Sequence, residues 1–480
     1  MQRGENKQKT FILNSIHFKC TTRVISLFFI ILFSDILCAN AVTLYHPESC
    51  YVNTGEQGIF FSGKINKYES VFINGKQIYP DKGAFSYSVP LNIGENIFSV
   101  QSKGLFGIVK TKKYYITRTE KDKLPNQDKL LIYKKSYYKT TRDNVVLRSS
   151  PIDAGMNRLG YLPFDCRVIV NGSYNEFSRI YLTKDVFGWV KTEHLSKVGD
   201  LSENEIDYKP AELISTNITE THSNKTFIAV LSKDVPYSAT VEDGKLIVTV
   251  YNLDCKNEKY TKDFNLGIFP RYSVCMKNSV LYVTQKKAPV NNANYSNKSI
   301  RIVIDAGHGG RERGTIGCFG DIEKDINLKV ALCLKKLLKS ANFDVRLVRE
   351  RDKFVSLEDR INFGTDNDAL IFISIHMNSV PISSDPNLNE GTVVFYFNPQ
   401  CAALAEIMAK KISSKLKVNN EGSVQASFAV IRPTEYLGIL AELVYMVNPK
   451  DVPVYRSKQF VNKSAEAIYD GLINYINSQL

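Results

Sequence analysis

Two histidines and two glutamates in the last third of the chain stand where apolar runs break off. His308 lies in Asp305-Ala306-Gly307-His308-Gly309-Gly310, directly after Ile302-Val303-Ile304. His376 ends the run Ala369-Leu370-Ile371-Phe372-Ile373-Ser374-Ile375, with Asn378 two residues beyond. Glu442 follows Gly438-Ile439-Leu440-Ala441, and Glu323 opens a long amphipathic stretch fifteen residues after His308. Two imidazoles and a carboxylate, with water in a fourth position, make a catalytic zinc set. A second carboxylate that does not ligate is what metal-assisted hydrolysis needs to take a proton from that water. Other uses of these residue types stay open at this point. A histidine after a strand is commonly a hydrogen-bonded loop residue, and a glutamate opening a helix complements the helix dipole. Glu442 is harder to place that way, because a carboxylate in so apolar a run is costly to desolvate unless a charge pairs with it.

The elements that must position these groups follow from the same runs. Short apolar segments bounded by turn residues suit buried strands. The glycines around His308 permit a tight loop and close backbone approach. A strand–loop–helix unit then presents His308 and Glu323 near one strand end, where ligands collect in open α/β sheets. Strands are expected at Ile302–Ile304, Val345–Val348, Leu370–Ile375, Val393–Phe397 and Ile439–Val444. From Ile326, the residues Val330, Cys333, Leu334, Leu337 and Leu338 share one helical stripe, and further helices are expected near Ala402–Leu416 and Val461–Ile476. This alternation predicts a C-terminal α/β domain with a mainly parallel sheet and helices on both faces, preceded by small all-β modules.

With these residues in view, the segment Ser299–Leu480 resembles the zinc-dependent N-acetylmuramoyl-L-alanine amidases that cut peptidoglycan. The matching pieces are Ile302–Gly310, Gly320–Asp325, Val348–Asp352, Ser356-Leu357 with Arg360, Phe372–Asn378, Phe428–Arg432 and Glu442–Asn448. The resemblance implies that His308, Glu323 and His376 bind one zinc and that Glu442 is the catalytic acid/base. It also implies substrate or oxyanion contacts from Asn378 and Arg432, peptidoglycan as partner, and a role in wall remodelling or daughter-cell separation. Glu312, Thr315 and Gly364-Thr365 depart from the usual family residues, all outside the four proposed site positions. A His/Glu/His set does not by itself name the bond cut, so a zinc carboxypeptidase-like envelope peptidase is the chemical alternative. A non-catalytic wall-binding scaffold is the alternative from another class. Some members of this family carry an inhibitory helix after the second histidine. Here the segment Met377–Glu390 holds Pro381, Pro386 and Ser383-Ser384-Asp385, which disfavour a helix, so no obligatory activator is expected.

The rest of the chain supplies address and attachment. Arg3, Lys7, Lys9, Lys19 and Arg23 precede the apolar run Val24–Phe33, and Ala39-Asn40-Ala41 offers a cleavage site, so residues 1–41 read as a signal peptide. Export to the periplasm, cell envelope or exterior follows, with no stable transmembrane segment after cleavage. Cleavage would reduce the formal charge from +13 to +10, a balance that suits anionic envelope polymers. No helix-turn-helix or aromatic-basic nucleic-acid motif occurs. With 44% hydrophobic and 23% charged residues, the 480-residue chain is ordinary globular protein with room for several domains. Residues 51–118 alternate with turns, including Asn74-Gly75, and resemble an immunoglobulin-like module. A linker is expected over 119–140, an SH3-like barrel over 141–198 with Trp189 in its core, a second linker over 199–224, and an AMIN-like β domain over 225–285. These modules are expected to attach the enzyme to the wall, leaving 299–480 self-sufficient. Seven cysteines remain after cleavage, with no C-x-x-C pair.

Overall fold

Between residues 42 and 118, short alternating segments close into two facing sheets. Val42–His46, Gly58–Ile65 and Ala84–Pro90 make a three-stranded sheet, and five strands between Tyr51 and Arg118 make the other. Ile59, Phe61, Val71, Ile73, Phe85 and Ile116 fill the space between them. Asn74 and Gly75 have φ of 48° and 79°, the left-handed pair a two-residue hairpin of this hand requires. This computed structural model describes residues 42–104, 107–120, 130–200, 210–288 and 296–480; the expected signal segment lies outside them.

A seven-stranded antiparallel sheet follows, and it corrects the last part of the first expected linker, whose residues 121–129 lie outside the described ones. Leu131–Thr140 is a strand, paired with Arg167–Tyr174 on one side and Leu195–Asp200 on the other. Its lysines suit an exposed tether, but Ser136 and Thr140 are buried. Trp189 is also buried. The second expected linker is corrected likewise from Leu213 on; its residues 201–209 lie outside the described ones. Leu213–Glu220 pairs antiparallel with Asn224–Leu231 and is an edge strand with nearly all its residues exposed. A polar, one-sided composition is what an edge strand carries, which is why it looks like linker. The third β unit thus begins before residue 225. Its four- and three-stranded sheets enclose Phe227, Leu231, Leu246, Val248 and Leu281. All seven cysteines from Cys50 to Cys401 are free.

In the C-terminal domain the strands are β1 (Arg301–Ala306), β2 (Asp344–Leu347), β3 (Ile371–Asn378), β4 (Thr392–Tyr396), β5 (Asn420–Gln425) and β6 (Leu437–Tyr445). The main helices are α1 (Glu323–Ser340), α2 (Leu357–Asp366), α3 (Ala402–Leu416) and α4 (Phe460–Gln479). The sheet order is β2-β1-β3-β6-β4-β5. It is mixed: β4 runs antiparallel to β6, and the other neighbouring pairs are parallel. Alternate residues of β1, β3 and β6 (Ile302 and Ile304, Ile371 and Ile373, Leu437 and Ile439) pack with α1, α3 and α4 in one core. The intervening Val303, Phe372 and Leu440 pack with Tyr436 and Ile431 on the opposite face. Among the described residues no helix is long and apolar enough to cross a membrane.

The β domains are seated on this domain. Ala84 and Phe269 are fully buried within the C-terminal core, and the Phe269 ring meets Tyr475 edge-on at 6.1 Å. Ser86 Oγ donates to the Val447 carbonyl at 2.6 Å, and Arg271, only 4% exposed, donates to the Ala369 carbonyl at 3.1 Å.

Candidate metal centre

Parallel register assembles the site. β3 lies between β1 and β6, with Ala306 opposite Ile375 and His376 opposite Glu442. Because side chains alternate along a strand, Asp305, Ser374, His376 and Glu442 share the sheet face opposite the large core. The loop after β1 carries His308 to the same end, and Glu323 is the first residue of α1. His308 Nε2 lies 3.2 Å, and His376 Nδ1 2.9 Å, from Glu323 Oε1. One ligand atom from each of the three falls within 4.8 Å of the others, making this a group that could hold a metal ion. Tetrahedral zinc with ligand bonds of about 2.0–2.1 Å places its ligands roughly 3.3 Å apart, so the donor set fits with little movement.

The loop is shaped around these side chains. A Cβ on Gly307 would lie 2.2 Å from His376 Cε1, and one on Gly314 would lie 2.5 Å from Glu323 Oε2. His308 itself has φ of 60°, a left-handed conformation that a non-glycine residue adopts only when its surroundings hold it there. Two buried arginines do the holding. Arg360 pairs with Asp305 and donates to the carbonyls of Ala306 at 3.0 Å and His308 at 2.8 Å. Arg349 donates to Ala306 O at 2.8 Å and to Gly307 O at 2.9 Å. Ser374 Oγ donates to the other Asp305 oxygen at 2.8 Å. In the sequence Arg349 and Arg360 stand only within the matching segments, with nothing in their spacing to mark a role. The signal was arginine and aspartate recurring in segments whose neighbours read as site.

Electrostatics separate the two glutamates. Burial would raise the Glu323 carboxyl, but hydrogen bonds with His308 and His376 outweigh it and hold the group below the usual carboxylate range. Met377 N, at 3.1 Å, and Thr315 N, at 2.8 Å, also donate to Glu323. Burial would lower the His376 imidazole, yet its pairing with Glu323 raises it to about 9. Glu323 thus stabilises positive charge beside it. Burial pushes Glu442 the other way, up to about 8, against the pull of His376. Glu442 Oε2 is shielded from water and has no hydrogen-bond partner among the described residues. A buried polar atom left this way calls for a functional explanation.

Of the expected residues, His308, Glu323, His376 and Glu442 come together. Asn378 is at the end of β3, and its Oδ1 accepts from Ser379 N at 2.8 Å. Arg432 Nε and Nη2 both bond Ser427 at 2.8 Å, and its neighbours include Arg158 and Tyr161 of the second β unit. The departures are accommodated: Thr315 meets Glu323 through its backbone, its N–H donating to Oε2 and its carbonyl accepting from Glu323 N, and Glu312 pairs through its backbone with Gly309. The segment after β3 forms turns rather than a helix.

Residues 302–474 match the family described as N-acetylmuramoyl-L-alanine amidase. The protein named "Probable cell wall amidase LytH" of Staphylococcus epidermidis is 36% identical over 183 residues, 38% of this chain and 60% of the relative. The chain therefore spans about three fifths of that relative's length. YqiI of Bacillus subtilis is 33% identical over 178 residues, 36% of this chain and 84% of the relative. The catalytic domain of CwlV, an N-acetylmuramoyl-L-alanine amidase from Bacillus (Paenibacillus) polymyxa var. colistinus, is 32% identical, covers 37% of this chain and 98% of that domain, and gives a TM-score of 0.35. Through its C-terminal domain, this chain belongs to the N-acetylmuramoyl-L-alanine amidase family.

Proposed function

We propose that the chain is an exported zinc amidase that hydrolyses the amide between N-acetylmuramic acid and L-alanine in peptidoglycan. The observation that carries this reading is the buried, unpartnered Oε2 of Glu442, one strand from a histidine of a His–Glu–His set. His308, Glu323 and His376 would hold one zinc. Bound there, zinc supplies Lewis-acid polarisation of the amide carbonyl and lowers the pKa of a water molecule beside it. Burial holds the Glu442 carboxyl well above the usual carboxylate range, and a cation held by the three neighbouring residues would draw it down, leaving a group able to take and return a proton. Glu442 accepts the proton as the water oxygen bonds to the carbonyl carbon. It returns that proton to the nitrogen as the C–N bond breaks, leaving a lactyl carboxylate and the free amine of L-alanine. Asn378, just beyond the second histidine, is assigned a substrate or oxyanion contact. Arg432, on the seam with the second β unit, is assigned substrate reaching that side.

The remaining assignments belong to the same reading. Residues 1–41 direct export, and the immunoglobulin-like, SH3-like and AMIN-like units hold the enzyme at the wall in the periplasm, envelope or exterior. The turn-forming segment after β3 leaves the groove open without an activator. The test is digestion of purified peptidoglycan by the full mature chain, with mass spectrometry of the new ends. Free lactyl carboxyls together with peptides bearing a free L-alanine amine are expected. Soluble fragments with every such amide intact would overturn the proposal.

A further inference from the structure

The first β unit reaches the metal-site loop and closes a cleft against it. Tyr45, His46, Glu48 and Phe60 form one wall of a cavity of about 200 Å³, and Gly314, Thr315 and Ser379 belong to the other. Gly314 and Thr315 are the residues that touch Glu323, so the cavity and the ligand cluster share a wall. The arrangement is fastened at several points. A Cβ on Gly320 would lie 2.5 Å from Tyr45 Cε1, so that ring sits directly on the loop leading to α1. Asn387 Nδ2 donates to the Ser86 carbonyl at 3.1 Å, Ser383 Oγ bonds Glu56 Oε2 at 3.3 Å, and Ile382 packs into the core of the first β unit. The segment that follows the second histidine is thereby held by the N-terminal domain.

The lining has a definite chemistry. His46 stacks on Phe60 with ring centroids 4.3 Å apart, and its Nε2 is buried with no partner among the described residues. Ile316 and Val380 add apolar surface. At the rim, Glu48 and Arg313 pair at 3.0 Å while both stay exposed to solvent.

We propose that this cleft is a subsite for the stem-peptide arm of the substrate, so that the first β unit helps to choose the substrate as well as to tether the enzyme. The inference rests on the amidase reading, in which the scissile amide has a sugar on one side and a peptide on the other. A cleft sharing a wall with the ligand cluster is within reach of groups a few bonds from that amide. Its apolar walls suit alanine methyls. Its two opposite rim charges suit a peptide that carries both carboxylates and an amine, Glu48 meeting the amine and Arg313 the carboxylate. A strand of N-acetylated sugars offers no amine for Glu48.

The test uses the zinc-loaded mature chain and the free tetrapeptide L-alanyl-D-glutamyl-diamino acid-D-alanine, with binding followed by calorimetry. Glu48→Lys reverses an exposed charge and should leave the fold intact. It is expected to weaken tetrapeptide binding by about fivefold or more, and to leave binding of N-acetylmuramic acid unchanged. KM for muropeptides with a full stem should rise in parallel, with kcat, zinc content and turnover of N-acetylmuramoyl-L-alanine unchanged. His46→Gln provides a second variant on the cavity wall, with the same expectation. Unchanged tetrapeptide binding in both variants would overturn the inference, and so would an equal loss of sugar binding. Glu48-dependent peptide binding in a chain that cleaves no muropeptide would support the subsite and overturn the amidase reading instead.

Discussion

The pair formed by Arg360 and Asp305 offers the sharpest test of how the loop bearing His308 is held. Both side chains are nearly inaccessible, at 3% and 1% exposure. Replacing Arg360 by Met leaves the Asp305 carboxylate buried with only the Ser374 hydroxyl as a side-chain donor. Breaking a buried pair from one side costs about 3–5 kcal/mol, because the remaining charge is uncompensated. The same substitution frees the His308 carbonyl, and with it the left-handed backbone of His308, while Ala306 O keeps its bond from Arg349. Arg360→Met should therefore unfold the C-terminal domain at lower urea and bind zinc more weakly. Asp305→Asn in the Arg360→Met background removes the stranded charge, and the cycle should show a coupling energy of about 2–3 kcal/mol. Among the described residues every α-helix lies between Glu323 and Gln479, so circular dichroism at helical wavelengths reports this domain within the full chain. Additivity of the two substitutions to within about 0.5 kcal/mol would refute the reasoning, because independent sites behave that way.

Other expectations are simpler to check. Glu442→Gln should retain zinc by elemental analysis while losing roughly 10²–10⁴-fold in kcat, the range for loss of a general acid/base. His376→Ala should lose zinc, and activity with it, while keeping the helical signal; a folded variant with full stoichiometric zinc would show the ligands misassigned. Gly314→Ala should reduce zinc content too. It forces a Cβ to within 2.5 Å of Glu323 Oε2 at a φ of 67°, and metal titration by competition with a chelating dye would read the loss.

Which parts were legible in the sequence follows from what each part requires. His308, Glu323, His376 and Glu442 stood out because ligands and bases must be specific residue types, and strand ends are marked by apolar runs. That His376 and Glu442 are direct neighbours was not legible, since it depends on β6 lying next to β3 in the sheet. Arg349 and Arg360 were passed over because an arginine in a sequence reads as surface, and burial shows only when the carbonyls it serves are placed. The strands Leu131–Thr140 and Leu213–Glu220 look like linker in the sequence because composition reports side chains, whereas these segments are held chiefly by backbone pairing. Contacts between domains leave no periodic trace, so neither the cleft at Tyr45–Glu48 nor the burial of Phe269 could be read in advance.

That last omission changes what truncation should do. The sequence suggests that residues 299–480 stand alone, yet Phe269 is fully buried in their core and meets Tyr475, itself 1% exposed. Cutting the chain at 296 removes that ring together with the Arg271 bonds to Asp368 and the Ala369 carbonyl. Emptying a buried phenylalanine site costs about 3–5 kcal/mol when only the side chain is removed. Here solvent can enter the vacated site, so the lower part of that range applies. The isolated segment 296–480 is therefore expected to unfold at lower urea than the same domain in the mature chain, followed by the helical signal. Extending the segment back to residue 210 should recover most of the midpoint, because it returns Phe269 and Arg271 and leaves only the Ala84 and Ser86 contacts of the first β unit missing. It should leave the cleft incomplete, because Tyr45–Phe60 is still missing. An equal midpoint for 296–480 and the mature chain would mean the seam contributes nothing to stability. A 210–480 segment with restored stability and full tetrapeptide affinity would separate the two roles of the β domains differently, assigning neither substrate choice nor support to the first.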